Sequence, residues 1–120
     1  AMDFRTPKAI GRDADNDEPS VKPFGGYDSN FVISGHPVAT TVGDQTGITM
    51  VTDTDQPGVQ LYTANALTDR KGKGGKEYSS RSAFCLETQH YPDSIHHPQW
   101  PSCILRKDEA FHSFTSYTFS

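Results

Sequence analysis

Residues 58–63 read GVQLYT, and their strict alternation of side-chain character predicts a β-strand. Successive side chains of an extended strand point to opposite faces. Val59, Leu61 and Thr63 therefore share one face of this strand, and Gln60 and Tyr62 share the other. The pattern indicates a strand with one apolar face, which is the face that a core would cover.

Runs of the same kind follow along most of the chain, and no useful window shows the 3.6-residue apolar period of a helix. These runs are rich in Val, Ile, Thr and aromatic residues, and residues that favour turns lie between them. We expect strands at 31–33, 38–42, 47–52, 58–63, 83–88, 102–105 and 111–119, and a flexible loop at 70–76. The sequence thus predicts an all-β fold, an antiparallel β-sandwich with long loops and little or no helix.

The size and polarity of the chain bear on how complete this fold is. Its 120 residues fit a single domain, 1–120, or part of one. Only 33% of the residues are hydrophobic and the mean hydropathy is −0.65, which is polar for a globular domain. About six short strands would leave one apolar sheet face without a partner. We therefore expect the chain to be part of a larger unit or to associate.

The charge and apolar patterns exclude several kinds of partner. The formal net charge is −4 and the charges are interspersed, so no basic stripe is present that would bind nucleic acid. No apolar run approaches the roughly 18 residues that a membrane-spanning helix needs. No charged segment followed by an apolar one marks a secretory signal, so we expect a cytoplasmic protein.

Two cysteines, Cys85 and Cys103, are too few for a disulfide scaffold. One bridge between neighbouring strands is possible. Two free, buried thiols in a reducing compartment are the favoured interpretation, because cysteine is among the most buried residue types.

Residues 84–94 read FCLETQHYPDS and place one carboxylate, Glu87, inside an apolar run. Along a strand Cys85 and Glu87 share one face, and Phe84, Leu86 and Thr88 share the other. If the first face meets solvent, Glu87 is an ordinary exposed residue, which the pattern alone favours. If it meets a concave pocket, Glu87 is suited to general-base chemistry.

Polar residues also cluster at 25–31, where GGYDSNF contains two glycines followed by Asp28 and Asn30. These two side chains either cap a turn locally, which is the default, or present acceptors to a hydroxylated ligand.

Five histidines offer candidate metal ligands, and three of them, His90, His96 and His97, lie close together. We find no carboxylate or cysteine at ligand spacing beside them, so no metal site is predicted. No Gly-x-Ser-x-Gly motif is present either, which argues against a serine hydrolase.

Three segments in order resemble one known family. FGGYDSNFV at 24–32, PGVQLYTAN at 57–65 and FCLETQHYPDS at 84–94 resemble the C-terminal part of galactose mutarotases, the aldose 1-epimerases. The likeness covers essentially the whole chain in the family's order and spacing. It implies a galactose-mutarotase-like β-supersandwich, of which this chain would be the C-terminal portion.

The resemblance implies a role for three residues. Glu87 matches the catalytic base that removes the proton of the anomeric hydroxyl. Asp28 and Gln60 match residues that bind the sugar hydroxyls. The implied reaction interconverts the α and β anomers of a monosaccharide such as galactose or glucose by ring opening and reclosure, with no cofactor and no metal.

Two departures from the family qualify this activity. Ser29 stands where members usually have histidine, and the general-acid histidine of the family lies in an N-terminal half that has no counterpart here. We therefore expect epimerase activity to need that missing half, with a homo-oligomer as the other possible partner. One alternative is a non-catalytic, lectin-like carbohydrate-binding module that keeps Asp28, Gln60 and Glu87 as ligands, and another is a structural remnant with neither activity.

Overall fold

The computed structural model describes all 120 residues, which form short strands and four 3₁₀ turns without any α-helix. The strands are β1 (Asp28–Val32), β2 (Ala39–Val42), β3 (Thr49–Thr54), β4 (Gly58–Tyr62), β5 (Arg70–Lys71), β6 (Glu77–Tyr78), β7 (Cys85–Gln89) and β8 (Thr115–Phe119). The 3₁₀ turns are Ile10–Asp13, Lys22–Phe24, Lys73–Gly75 and Ser94–His96. No helix has the length and apolar character needed to span a bilayer.

These strands form three sheets, with the orders β1-β4-β7, β2-β3-β8 and β5-β6. The pairs β2–β3, β3–β8 and β5–β6 are antiparallel. Backbone bonds at both ends of β1 and β4, Thr63 N to Tyr27 O and Ile33 N to Pro57 O, show that this pair is antiparallel too. The predicted all-β, antiparallel fold is confirmed.

Contacts divide the chain into two compact units, residues 1–29 with 60–87 and residues 30–59 with 88–120. The first unit has a small core whose largest member is Tyr27, which is fully buried. The ring of Phe4 meets that of Tyr27 edge-on at 5.3 Å between centroids. Val21, Ala14, Leu61 and Ala64 complete the buried apolar set of this unit.

The second unit is organised by the sheet β2-β3-β8, in which β3 is the central strand. Val51 lies opposite Thr40 of β2 and Thr118 of β8. The buried positions at the centre of this sheet are polar, because they are occupied by Thr52 and Thr54, which are almost completely removed from solvent.

Several sequence-based expectations are wrong. Residues 102–105 form no strand, and Ile104 and Leu105 are more than half exposed, because no neighbouring segment supplies backbone partners there. The segment 70–76 is not simply a loop, since β5 pairs with β6 around a turn in which Gly74 and Gly75 adopt positive φ. Both cysteines are free, as expected, but both are exposed rather than buried.

Candidate functional site

A side-chain contact joins two of the three candidate site residues. The Gln60 side-chain amide, on β4, donates to Asp28 Oδ1, at the start of β1, over 2.8 Å. Both side chains are half-buried. Asp28 begins a strand instead of capping a turn, so β1 starts three residues earlier than expected. The bond fixes one carboxylate oxygen of Asp28 and shows that the Asp28 and Gln60 side chains lie on the same face of the sheet.

Strand alternation places Glu87 on the corresponding face of β7. Gln89, two residues after Glu87, donates through Nε2 to Asn30 Oδ1 over 3.1 Å. Asn30 is two residues after Asp28 on β1. Because residues two apart in a strand share a face, Glu87 points to the same side of its strand as Gln89, and Asp28 to the same side as Asn30. The sheet β1-β4-β7 therefore carries amides and carboxylates from three strands on one face.

Gly58 of β4 makes room for the Asn30 side chain. A Cβ atom at position 58 would lie 2.5 Å from Asn30 Oδ1 and 3.0 Å from Cδ1 of Tyr91. A side chain there would displace Asn30, so the bare backbone is a steric requirement. Neither Gln89 nor Gly58 was predicted as a site residue from the sequence, although alternation from Glu87 along β7 places Gln89 on the same face.

The opposite face of β4 is apolar, as its alternation predicted. Val59 and Leu61 are each only 6% exposed, and Thr63 just after the strand is 5% exposed. Gln60 and Tyr62 are half-buried. Burial of one face anchors the strand and places Gln60 on the opposite face, together with Tyr62.

The backbone that enters β1 is held by side chains from residues 63–65. Gly26 has φ +148°, and a Cβ there would lie 2.2 Å from Asn65 Oδ1 and 2.8 Å from Thr63 Oγ1. The Tyr27 N–H donates to Thr63 Oγ1 over 3.0 Å, and Asn65 Nδ2 donates to the Tyr27 carbonyl over 2.8 Å. These bonds satisfy the main chain on the residue directly before Asp28.

Ser29, which departs from the family pattern, points away from this face. Its hydroxyl donates to the carbonyl of Ser20 over 3.2 Å. As neighbours in β1, Ser29 and Asp28 project to opposite sides. The serine side chain therefore holds the preceding loop and lies on the face opposite Asp28.

The candidate base Glu87 is exposed, and so is Cys85 on the same side of β7. Asp28, Gln60 and Glu87 all belong to the first unit, whereas every histidine of the chain belongs to the second. The first unit thus holds two carboxylates and an amide among the candidate residues, but no histidine.

The histidines at 96 and 97 do have a carboxylate beside them, contrary to the sequence analysis. Asp93 contacts Nδ1 of His96 through one oxygen and lies 3.6 Å from Nε2 of His97 through the other. The His97 ring stacks on Trp100 with 4.0 Å between centroids. The structure contains no group of three or more His, Cys, Asp or Glu side chains that could hold a metal ion.

Comparisons with known proteins agree with one another. The sequence profile of the family described as aldose 1-epimerase matches residues 1–118. The chain is 36% identical to human galactose mutarotase over all of its own length, and 34% identical to aldose 1-epimerase of Escherichia coli K12 over 99% of it. A crystal structure of a GalM/aldose epimerase homologue from C. elegans superposes on 99% of the chain, with a TM-score of 0.78 at 28% identity.

The same comparisons show how much of these proteins the chain represents. It spans 35% of the human protein, 36% of the bacterial one and 36% of the nematode structure. Within that span the family profile, the relatives and the solved fold all coincide with nearly every residue of the chain. The chain belongs to the aldose 1-epimerase family.

Proposed function

We propose that this chain provides the base and part of the sugar-binding surface of an aldose 1-epimerase that acts on a hexose such as galactose or glucose. Glu87 is the base, and Asp28 and Gln60 hold sugar hydroxyls. The single observation that supports this most strongly is the Gln60–Asp28 hydrogen bond, which sets a carboxylate and an amide together on one sheet face. Paired acceptors and donors of this kind suit the adjacent hydroxyls of a pyranose.

The reaction combines proton transfers with the reversible cleavage of one carbon–oxygen bond. Glu87 takes the proton of the C1 hydroxyl, the bond between C1 and the ring oxygen breaks, and an acid gives the ring oxygen a proton. Rotation about the C1–C2 bond turns the aldehyde, and the reverse proton transfers close the ring as the other anomer. No redox step occurs, and the numbers of atoms and electrons in the sugar are unchanged.

The general acid that protonates the ring oxygen is none of the three residues Asp28, Gln60 and Glu87. The first unit contains no histidine, and the relatives that carry the name epimerase or mutarotase are almost three times as long as this chain. We propose that a polypeptide segment equivalent to the additional length of these relatives packs against this chain and supplies the acid opposite Glu87. A base without a matched acid should give little acceleration by itself.

Polarimetry of freshly dissolved α-D-galactose tests the catalytic role. The complete assembly, which is this chain together with the additional segment of the longer relatives, should accelerate anomerisation. Glu87→Gln should lower its kcat by about 10²- to 10⁴-fold, because the amide cannot accept the proton. Galactose affinity should change little, since glutamine keeps the size of the side chain and one of its two acceptor oxygens. A loss of affinity equal to the loss of rate would contradict the general-base role.

A binding module without catalysis remains a second candidate, favoured by the exposure of Glu87 and by the lack of histidine in its unit. Cys85 and Cys103 allow a direct test, because both are exposed and free but only Cys85 shares the face of Glu87. Saturating galactose should slow alkylation of Cys85 by iodoacetamide severalfold and leave Cys103 unaffected. Protection of Cys85 without any anomerisation in the complete assembly would establish the binding module instead.

Equal alkylation of Cys85 with and without galactose would show that no sugar covers this face. That result would contradict both the epimerase proposal and the binding alternative.

A further inference from the structure

The exposed side chain of Arg81 in the first unit bonds two separate segments of the chain. Its Nε donates to the Gly25 carbonyl over 3.0 Å, and its Nη2 donates to the same carbonyl over 2.5 Å. Nη2 also lies 2.6 Å from Asp15 Oδ1 and 3.4 Å from the Ala14 carbonyl. One guanidinium thus joins the loop at 14–15 to the turn at Gly25.

The backbone of Arg81 is held as well. Its φ is +60°, a left-handed conformation that non-glycine residues adopt rarely. Its N–H donates to the Ala64 carbonyl over 3.2 Å, next to the Asn65 that binds the Tyr27 carbonyl. A strained backbone persists only where its surroundings fix it, so the side chain of Arg81 is aimed at Gly25 by a constrained main chain.

The turn at Gly25 leads directly into the candidate site. The Gly25 N–H donates to the Lys22 carbonyl, and the Gly26 N–H donates to that of Val21. The Tyr27 main chain is bonded to Thr63 and Asn65, and Asp28 follows. With Arg81 on the Gly25 carbonyl, each residue from 25 to 27 has its main chain fixed by a hydrogen bond.

We propose that Arg81 is a positioning residue for Asp28, acting through the Gly25 carbonyl, and that it thereby sets the sugar affinity of the proposed site. It touches neither the sugar nor Glu87. A guanidinium forms two N–H bonds in a fixed plane, whereas an ammonium is a single point donor on a flexible stem. Lysine at position 81 would keep the charge but lose the two-bond grip on Gly25. Only the expected effect of Arg81 on sugar affinity rests on the proposed function.

The side-chain amide of Gln60 reports the position of Asp28 without any sugar. In ¹⁵N-labelled protein, Arg81→Lys should shift the Gln60 side-chain amide resonance and speed its hydrogen exchange by about tenfold, because the bond to Asp28 loosens. Galactose affinity, measured by calorimetry, should fall by about tenfold in the same variant. A purely structural role for Arg81 would lower the unfolding midpoint but leave the Gln60 resonance where it is.

Arg5→Lys is the matched control, because Arg5 lies in the same unit and forms a two-bond pair with Asp3 at 2.9 and 2.6 Å. It makes the same chemical change at a side chain that is bonded to Asp3 and not to Gly25, and should leave both readouts unchanged. Arg81 is a surface side chain, 37% exposed, so its lysine variant should remain folded. If its spectrum is nevertheless that of an unfolded chain, Arg81→Gln takes its place.

An unchanged Gln60 resonance in Arg81→Lys, or an equal shift in Arg5→Lys, would overturn the inference. Failure of the unmodified protein to bind galactose would instead contradict the proposed function. The amide measurement would still decide the role of Arg81, so the two failures are distinguishable.

Discussion

Thr52 and Thr54 on β3 are both buried on the same face and differ in whether the hydroxyl has a hydrogen-bond partner. Thr54 is 2% exposed, and its hydroxyl contacts the Phe114 carbonyl at 2.8 Å and the Thr115 hydroxyl at 2.9 Å. Thr52 is fully buried, and its hydroxyl has no hydrogen-bond partner. Desolvation of an unpaired hydroxyl costs free energy, whereas a paired hydroxyl recovers that cost. The same residue type on the same face therefore has opposite effects on stability.

Replacement of each threonine by valine should separate these effects. Thr52→Val keeps the β-branched shape, removes the unpaired hydroxyl, and should raise the free energy of unfolding by about 1 kcal/mol. Thr54→Val removes one of the two donors to the Phe114 carbonyl and the acceptor of the Gln56 N–H, and should lower the free energy of unfolding by about 1 to 2 kcal/mol. Urea denaturation of the two variants side by side measures both changes. Two changes of the same sign would show that the hydroxyls are not what distinguishes these sites.

At the scale of elements, one carboxylate connects β3 to the start of β8. Asp55 Oδ1 accepts from the Phe114 N–H over 3.0 Å and from the Ser113 hydroxyl over 3.1 Å. The Asp55 N–H in turn donates to the Phe114 carbonyl over 3.1 Å. These bonds align the residues before β8 with the end of β3 and so fix the register of the pair. The Phe114 N–H, with help from Ser113, lowers the pKa of Asp55 below its ordinary value.

This lowered pKa predicts how the contribution of Asp55 to stability depends on pH. The folded pKa lies below the unfolded value of about 3.9, so the contribution is complete above about pH 4 and is lost as the pH falls through the folded pKa. Asp55→Asn should be less stable than the unmodified protein at pH 7, and the difference should shrink as the pH falls below about 4. Urea denaturation across this range measures it. A difference that stays constant with pH would rule out the ionised carboxylate as its source.

The elements also show what the sequence alone can predict. Alternation in GVQLYT correctly gave β4 and the side on which Val59 and Leu61 are buried, because that period is a local property. At 102–105 an equally apolar run forms no strand, because a strand needs a neighbour that the local pattern does not reveal. The start of β1 was missed because Asp28, Ser29 and Asn30 are residue types that favour turns.

Site geometry was even less accessible from sequence. The partners Asp28 and Gln60 are 32 residues apart, and only the pairing of β1 with β4 brings them together. The clearance at Gly58 depends on Asn30 and Tyr91, which lie on other segments. The roles assigned to Asp28, Gln60 and Glu87 came from resemblance, and the structure adds which face of each strand they occupy.

At the scale of the whole molecule, the chain leaves an unusual amount of surface uncovered. It exposes 8619 Å², whereas a typical monomeric protein of 13.2 kDa exposes about 6400 Å². Many of the exposed side chains are large and apolar, and those of the second unit include Val32, Val42, Ile48, Ile95, Ile104, Leu105, Phe111, Phe114, Tyr117 and Phe119. Large exposed apolar patches are typical of surfaces that contact another protein, a membrane or a ligand. This is consistent with the proposal that additional chain, present in the longer relatives, covers it.

A substitution of Phe119, at the end of β8, tests whether this apolar surface is exposed to solvent. It is 65% exposed, whereas Leu61 in the first unit is 6% exposed. Phe119→Ser should therefore change the free energy of unfolding by no more than about 0.5 kcal/mol, and Leu61→Ser should lower it by about 3 kcal/mol. Phe119→Ser should also reduce the fluorescence of the apolar dye 1-anilinonaphthalene-8-sulfonate bound to the folded protein, because the dye binds exposed apolar surface. If Phe119→Ser is as destabilising as Leu61→Ser, the phenylalanine is packed in solution. Sedimentation of the unmodified chain would then show whether a second copy covers it.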